Sequence, residues 1–240
     1  HEHEAQGLGQ ERHRGPLREG ERVQIRDPKG RLHTVILVSG GRFQSNRGFI
    51  DHDDLIGRPD GQVVTTEEGR QFQILRPLQV DYVMSMPRGA AVVYPKDAGT
   101  IVHYADIFPG AVVVEAGAGS GALSMALLDA VGERGTLISV ERREEFAQIA
   151  RDNVELWFGA PHPAWDLRGK DLADELNAMP ESSVDRVVLD MLAPWENLDA
   201  VAHALAPGGV LCCYIATVTK MSRLIEDLRS AENFTDAVAW

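Results

Sequence analysis

Ten consecutive residues, Val112-Val113-Val114-Glu115-Ala116-Gly117-Ala118-Gly119-Ser120-Gly121, constrain this chain more than any others. Ala111 to Val114 form an unbroken apolar run of the kind buried on both faces of a parallel sheet, and Ala122 to Val131 carry apolar residues at helical spacing. Between them stands a loop almost free of side chains. A strand, a glycine-rich turn and a helix in that order place a ligand site at the carboxyl end of a strand in a doubly wound α/β sheet. The glycines at 117, 119 and 121 admit unusual backbone angles and let a ligand approach the main chain, while the helix start offers N–H groups to an anionic moiety.

The glycines alone leave the cofactor open. Gly117 to Ala122 also fit the dinucleotide fingerprint, whose last position tolerates alanine, and a tight turn with no ligand is the plainer alternative. The order Glu-x-Gly-x-Gly-x-Gly, with an acid two residues before the first glycine, resembles the first motif of S-adenosylmethionine (SAM)-dependent methyltransferases. SAM carries an ammonium beside its carboxylate, so Glu115 is useful near such a loop where it would repel a pyrophosphate. Thr136 to Val140 then read as a second strand ending at Glu141, where a carboxylate can accept both ribose hydroxyl hydrogens. A surface acid paired with Arg142 or Arg143 is the alternative for Glu141.

The 240 residues suffice for a standard domain plus a small one, with 44% apolar and 25% charged residues as in ordinary globular proteins. No apolar run reaches the roughly eighteen residues of a membrane span and no secretory signal opens the chain, so a cytoplasmic protein without membrane attachment is expected. Cys212 and Cys213 stand in the apolar run Val210 to Ile215 and read as strand residues, and the eight histidines include no metal-binding spacing, so no metal is expected. Of the net charge of −12, none falls in residues 1–80, which carry twelve basic and twelve acidic residues; the remainder holds twelve against twenty-four. That distribution argues against nonspecific, charge-driven nucleic-acid binding but leaves specific phosphate contacts open.

Residues 1–19 are polar and without periodicity, and read as a flexible extension. A small all-β, barrel-like domain is expected over 20–78, from short β-prone stretches at Glu21–Arg26, Leu32–Val38, Gly48–Asp51, Val63–Thr66 and Gln71–Leu75 separated by turn sequences. The remainder, 79–240, reads as the methyl-transferring domain's share of the chain. Leu78 to Met84 and the Pro-bounded stretch near Met86 to Pro95 connect the β module to a catalytic part that begins with a helix around Asp97 to Asp106 and continues with strands at Ala111–Glu115, Thr136–Glu141, Pro163–Arg168, Val184–Asp190 and Val210–Ile215 with helices between.

The fourth of these strands delivers Asp190, followed by Met191-Leu192-Ala193-Pro194-Trp195. A carboxylate at that strand end lies beside the glycine loop in a doubly wound sheet, although Asp is also a favoured helix cap. Asp171, just after the third strand, could accept the adenine amino hydrogen of a cofactor or be a plain loop acid.

Together these segments closely resemble the tRNA (adenine-N1) methyltransferases that modify nucleotide 58 in the T loop. The resemblance covers about residues 20–240 and rests on Tyr94-Pro95-Lys96-Asp97, Glu115 to Gly121, Glu141-Arg142-Arg143-Glu144 and Asp190 to Trp195. It implies a SAM-dependent class I methyltransferase with tRNA as partner, assembled as a homotetramer. The implied cofactor residues are Glu115, Gly117, Gly119, Ser120, Gly121, Ala122, Leu123, Glu141, Arg142, Phe146, Asp171 and Asp190, and the implied catalytic residues are Asp190 and Tyr94. Adenine N1 has a lone pair and needs no base, but methylation leaves the ring cationic, so Asp190 would orient the exocyclic amine and stabilise that charge. Tyr94 would position or stack on the flipped base, an ordinary buried aromatic before a proline being the alternative; Arg42 and Arg47 could hold phosphates, with a solvated surface role as the default for each. The family's sheet continues with antiparallel strands beyond the point where this sequence ends at Trp240, so those strands are expected to be missing here. A methyltransferase for another substrate and a noncatalytic tRNA-binding subunit are the alternatives; intact glycine and Asp190 motifs weigh against the second.

Overall fold

A computed structural model describes residues 12–240. Of the described residues, one compact unit is formed by 12–86 together with Glu155–Ala160, and a second by Pro87–Val154 and Pro161–Trp240.

In the first unit, β1 (Arg22–Arg26), β2 (Leu32–Ile36), β5 (Val63–Thr65) and β6 (Gln71–Leu75) form an antiparallel sheet in the order β2-β1-β6-β5, while β3 (Arg42–Ser45) and β4 (Gly48–Asp51) form a separate hairpin. Alternation along β1 and β6 sends Val23, Ile25, Phe72 and Ile74 into a core with Leu37, Phe43, Ile50 and Leu55. Helix α1 (Gln79–Ser85) follows, burying Tyr82 and Val83. The polar extension expected over 1–19 lies outside the described residues through 11. Its end is packed rather than loose: Leu17 is buried in the same core and exchanges backbone hydrogen bonds with Arg58 and Gly57.

The second unit begins with α2 (Pro95–Tyr104) and continues through a parallel sheet: β7 (Val112–Ala116), α3 (Ala122–Val131), β8 (Thr136–Val140), α4 (Glu144–Phe158), β9 (Trp165–Arg168), α5 (Leu172–Ala178), β10 (Val184–Leu189), α6 (Leu198–Ala204), β11 (Leu205–Cys213) and α7 (Val218–Ala231). The spatial order is β11-β10-β7-β8-β9. The direction in which successive strands are added to the sheet therefore reverses between β7 and β10, although the two run parallel, which leaves a crevice at their carboxyl ends, where ligands bind in such sheets. The period-2 alternation of β7 turns Val114 and Ala116 toward a core shared with Leu172, Leu176 and Val201. Glu115 faces the other way.

β11 departs from the sequence reading. It starts at Leu205, five residues earlier than the apolar run, and its register against β10 shifts between Val184 and Arg186, which absorbs the Ala206-Pro207-Gly208-Gly209 segment. Cys212 and Cys213 lie in it as free, half-buried thiols, and burial pushes them up to about 11 and about 12. Among the described residues no helix is long and apolar enough to cross a membrane.

Candidate active site

The glycine loop leaves β7 at the crevice. Gly119 and Gly121 have φ of +56° and +91°, angles that a side chain resists, and a Cβ at Gly121 would meet Val154 Cγ2 at 2.9 Å and the Ala150 carbonyl at 3.2 Å. Glycine at 121 thus lets helix α3 start tight against α4. Around Gly119 the nearest atoms to an added Cβ, at Ala90 and Ala91, are 3.9 Å away, so the turn is bare without being crushed.

Glu115 is fully buried on the face of β7 turned toward α3. The hydroxyls of Ser124 on α3 and Ser139 on β8 both donate to its Oε1, the latter at 2.6 Å, and Trp165 Nε1 donates to Ser139 Oγ at 2.8 Å. Its other oxygen, Oε2, is buried with no hydrogen-bond partner among the described residues. Burial pushes the carboxyl up to about 7 against the two hydroxyl hydrogen bonds, and the charges of Asp190 and Glu141 add to the rise. A buried carboxylate with one vacant oxygen is suited to an ammonium group.

Glu141 stands just beyond β8 and reaches back over the loop: its Oε1 accepts from Gly119 N at 3.2 Å and from Arg143 Nη2 at 3.1 Å. Burial raises its proton affinity, but the Arg143 hydrogen bonds and charge outweigh it, holding the carboxyl below its usual range. The pairing with Arg143 is present, but Glu141 is buried rather than a surface acid, and the same carboxylate also touches the loop. Arg143 also lies over the Phe146 ring, 4.0 Å from its centroid, and Phe146 fills the space beside Gly89. Arg142 Nη1 bonds Asp171 Oδ1 at 2.7 Å, joining the two loops that follow β8 and β9.

Three residues of the expected cofactor set offer no side chain to a ligand. Ser120 Oγ is turned inward, donating to the Ala90 carbonyl at 3.1 Å and accepting from Gly89 N at 3.1 Å; Ala122 and Leu123 pack in the core. Their contribution reduces to main-chain N–H groups at the start of α3.

Asp190 follows β10 directly. Its N–H donates to the Ala116 carbonyl at 2.5 Å, and Gly117 N–H donates to its carbonyl at 3.0 Å, so the strand end and the glycine loop are locked together. The carboxylate is half-buried, receives no hydrogen bond among the described residues, and has its proton affinity raised by burial. It caps no helix; the 3-10 turn Pro194–Asn197 has Ala193 as its cap. A desolvated, unpartnered carboxylate gains most from a donor or a cation brought to it.

Tyr94 precedes α2 as its cap residue and is 53% exposed, so its ring is available to a ligand rather than buried in the core. Beside it the structure reveals two residues that the sequence reading did not assign. Tyr214, just after β11, donates its hydroxyl to Asp97 Oδ2 at 2.7 Å and its backbone N–H to the Leu189 carbonyl at 2.8 Å. In the sequence Asp97 stands out only as the last residue of Tyr94-Pro95-Lys96-Asp97, and Tyr214 follows an apolar strand without any motif of its own. Arg42, expected on phosphate, is occupied: it pairs with Asp51 at 2.7 Å and lies 3.8 Å from the Phe49 ring centroid.

Residues 72–239 match the family model described as tRNA methyltransferase complex GCD14 subunit, and 15–64 match that of a TrmI-like N-terminal region. The tRNA (adenine(58)-N(1))-methyltransferase TrmI of Thermus thermophilus is 35% identical over 87% of this chain and 79% of its own length. The tRNA (adenine(57)-N(1)/adenine(58)-N(1))-methyltransferase TrmI of Methanocaldococcus jannaschii is 30% identical over 81% of this chain and 75% of its own. Among solved structures, a SAM-dependent O-methyltransferase from Thermotoga maritima superposes with a TM-score of 0.81 at 29% identity, covering 89% of this chain and 78% of that one.

Proposed function

Since the chain belongs to the tRNA methyltransferase complex GCD14 subunit family, we propose that it is the SAM-dependent enzyme that methylates N1 of adenine 58 in tRNA. Three features of the crevice fit the cofactor: the vacant Glu115 Oε2 for an ammonium, the bare turn at Gly117 and Gly119, and the Glu141 carboxylate over that turn for ribose hydroxyls. Arg142 and Asp171, bonded to each other, would hold the adenine end of the cofactor, and Phe146 supports Arg143 behind Glu141. When bound, SAM supplies a methyl group activated by its sulfonium. No residue has to remove a proton from N1, which attacks through a lone pair. Asp190 accepts from the exocyclic amine, fixing the base in line, and its desolvated charge stabilises the cationic ring as it forms. Tyr94 offers an exposed ring on which the extruded base can stack.

The observation that carries this reading is the unpartnered Asp190 carboxylate, tied through its own backbone to the glycine loop. Incubation with unmodified tRNA and labelled SAM, followed by nuclease digestion and mass spectrometry, should give 1-methyladenosine at position 58. Its absence with folded, SAM-binding protein would sink the assignment. Asp190→Ala should lower turnover about 10²–10³-fold while SAM affinity changes little, the size typical of a lost electrostatic group in an active site. We further propose that it assembles as a homotetramer, for which light scattering on the purified protein is the check, and that it acts in the cytoplasm, for which cell fractionation is the check.

A further inference from the structure

The hydrogen bond between Tyr214 and Asp97 fixes more than a side-chain position. Tyr214 is held at two points: its N–H on the Leu189 carbonyl places it next to the strand end that carries Asp190, and its hydroxyl hydrogen is committed to Asp97 Oδ2. Asp97 itself lies in the first turn of α2, three residues after Tyr94. A phenol can donate once and accept through its lone pairs. With its hydrogen given to Asp97, Tyr214 Oη has only acceptor capacity left for anything else that enters beside Asp190 and Tyr94. The Asp97 bond, burial, and the nearby Asp97, Asp190 and Tyr94 push this phenol up to about 12, so it stays protonated and does not become a base.

We propose that Asp97 is a positioning residue that acts through Tyr214 to make this side of the pocket accept hydrogen bonds and never donate them, which selects a base with an exocyclic amine over one with a carbonyl or hydrogen at the same place. The proposal rests on the reading of the crevice as an adenine-N1 methylation site. Adenine presents two N6 hydrogens and an N1 lone pair. Two acceptors, Asp190 and Tyr214 Oη, match the amine, whereas a 6-carbonyl would meet lone pairs on both sides and a purine lacking the amine would leave both acceptors unpaired. A site built to hydrogen-bond an amine rejects the analogue lacking it because its own buried groups then go unsatisfied. Asp97→Asn keeps the shape, but its amide can donate to the phenol oxygen and free the hydroxyl hydrogen to turn into the pocket.

The test compares tRNA carrying adenine with tRNA carrying unsubstituted purine at position 58, using wild type, Asp97→Asn, Tyr214→Phe and the double variant. In wild type adenine should be strongly preferred. Asp97→Asn should lower kcat for adenine and reduce the adenine-to-purine ratio of kcat/KM by about tenfold, with KM for SAM unchanged. Tyr214→Phe should do the same, and the double variant should be no worse than Tyr214→Phe alone, because the two residues act as one unit. SAM affinity and thermal unfolding of each variant verify that the fold is kept. An unchanged preference in folded Asp97→Asn, or effects of the two substitutions that simply add, would overturn the proposal while leaving the methylation assignment standing. Failure of the wild type to form 1-methyladenosine at 58 overturns both.

Discussion

A single oxygen atom, Glu115 Oε2, shows how a buried charge is reconciled with a fold. Its carboxyl is wholly enclosed, with both hydroxyl donors on the other oxygen, and burial pushes it up to about 7 from an ordinary 4.5. The native state thus holds a proton that the unfolded chain has already released between pH 4.5 and 7. Stability associated with this group is intact below about 4.5 and lost as pH rises through about 7. Glu115→Gln removes the titration, so unfolding free energies measured by urea at a series of pH values should fall less steeply across this window in the variant. Parallel profiles would show that Glu115 does not titrate there. Because an ammonium on Oε2 favours the ionised form, the same variant should bind SAM more weakly. Glu115 was legible from its place two residues before the first glycine; the two serines that hold it were not, since Ser124 and Ser139 are nine and twenty-four residues away and ordinary by composition.

Among the elements, the junction of β7, the glycine turn and α3 sets the crevice. Gly121→Ala would need a left-handed residue with its Cβ 2.9 Å from Val154, so a loss of about 1–3 kcal/mol in stability and a weaker SAM site are expected from thermal unfolding and calorimetry. β7 and β8 could be read from the sequence because each is a short, mostly apolar run meeting a glutamate, and both fall within a residue of the expected bounds. β3 was missed for the opposite reason. Its Arg42, Gln44 and Ser45 leave Phe43 as the one apolar residue, so the alternation is carried by a single side chain, and pairing with β4 decides the conformation. Helix α1 went unrecognised because seven residues give too little periodicity to separate it from a connector. The Asp97–Tyr214 contact joins residues 117 apart, a proximity that only the sheet order creates.

At the scale of the whole molecule, two hydrophobic clusters among the described residues share no residue: one runs from Leu17 to Ile74 and the other from Val114 to Ala204. Phe72 is completely buried in the first, and Phe72→Ala should cost about 3–5 kcal/mol there. Hydrogen exchange should rise over β1, β2, β5 and β6 while SAM affinity is retained. Loss of SAM binding in that variant would mean that the cores are energetically one. Charge follows a related division, with the deficit of −12 lying wholly beyond residue 80, so the first part of the chain is the less repulsive for a polyanion. The paired backbone bonds between Asp190 and the Ala116-Gly117 step carry a consequence for the order of events. In the proposed function, the methyl-donor loop and the Asp190 carboxylate share one stretch of ladder. Thermodynamic linkage then requires any change that the nucleic acid makes in cofactor affinity to be returned by the cofactor as the same factor, whichever arrives first.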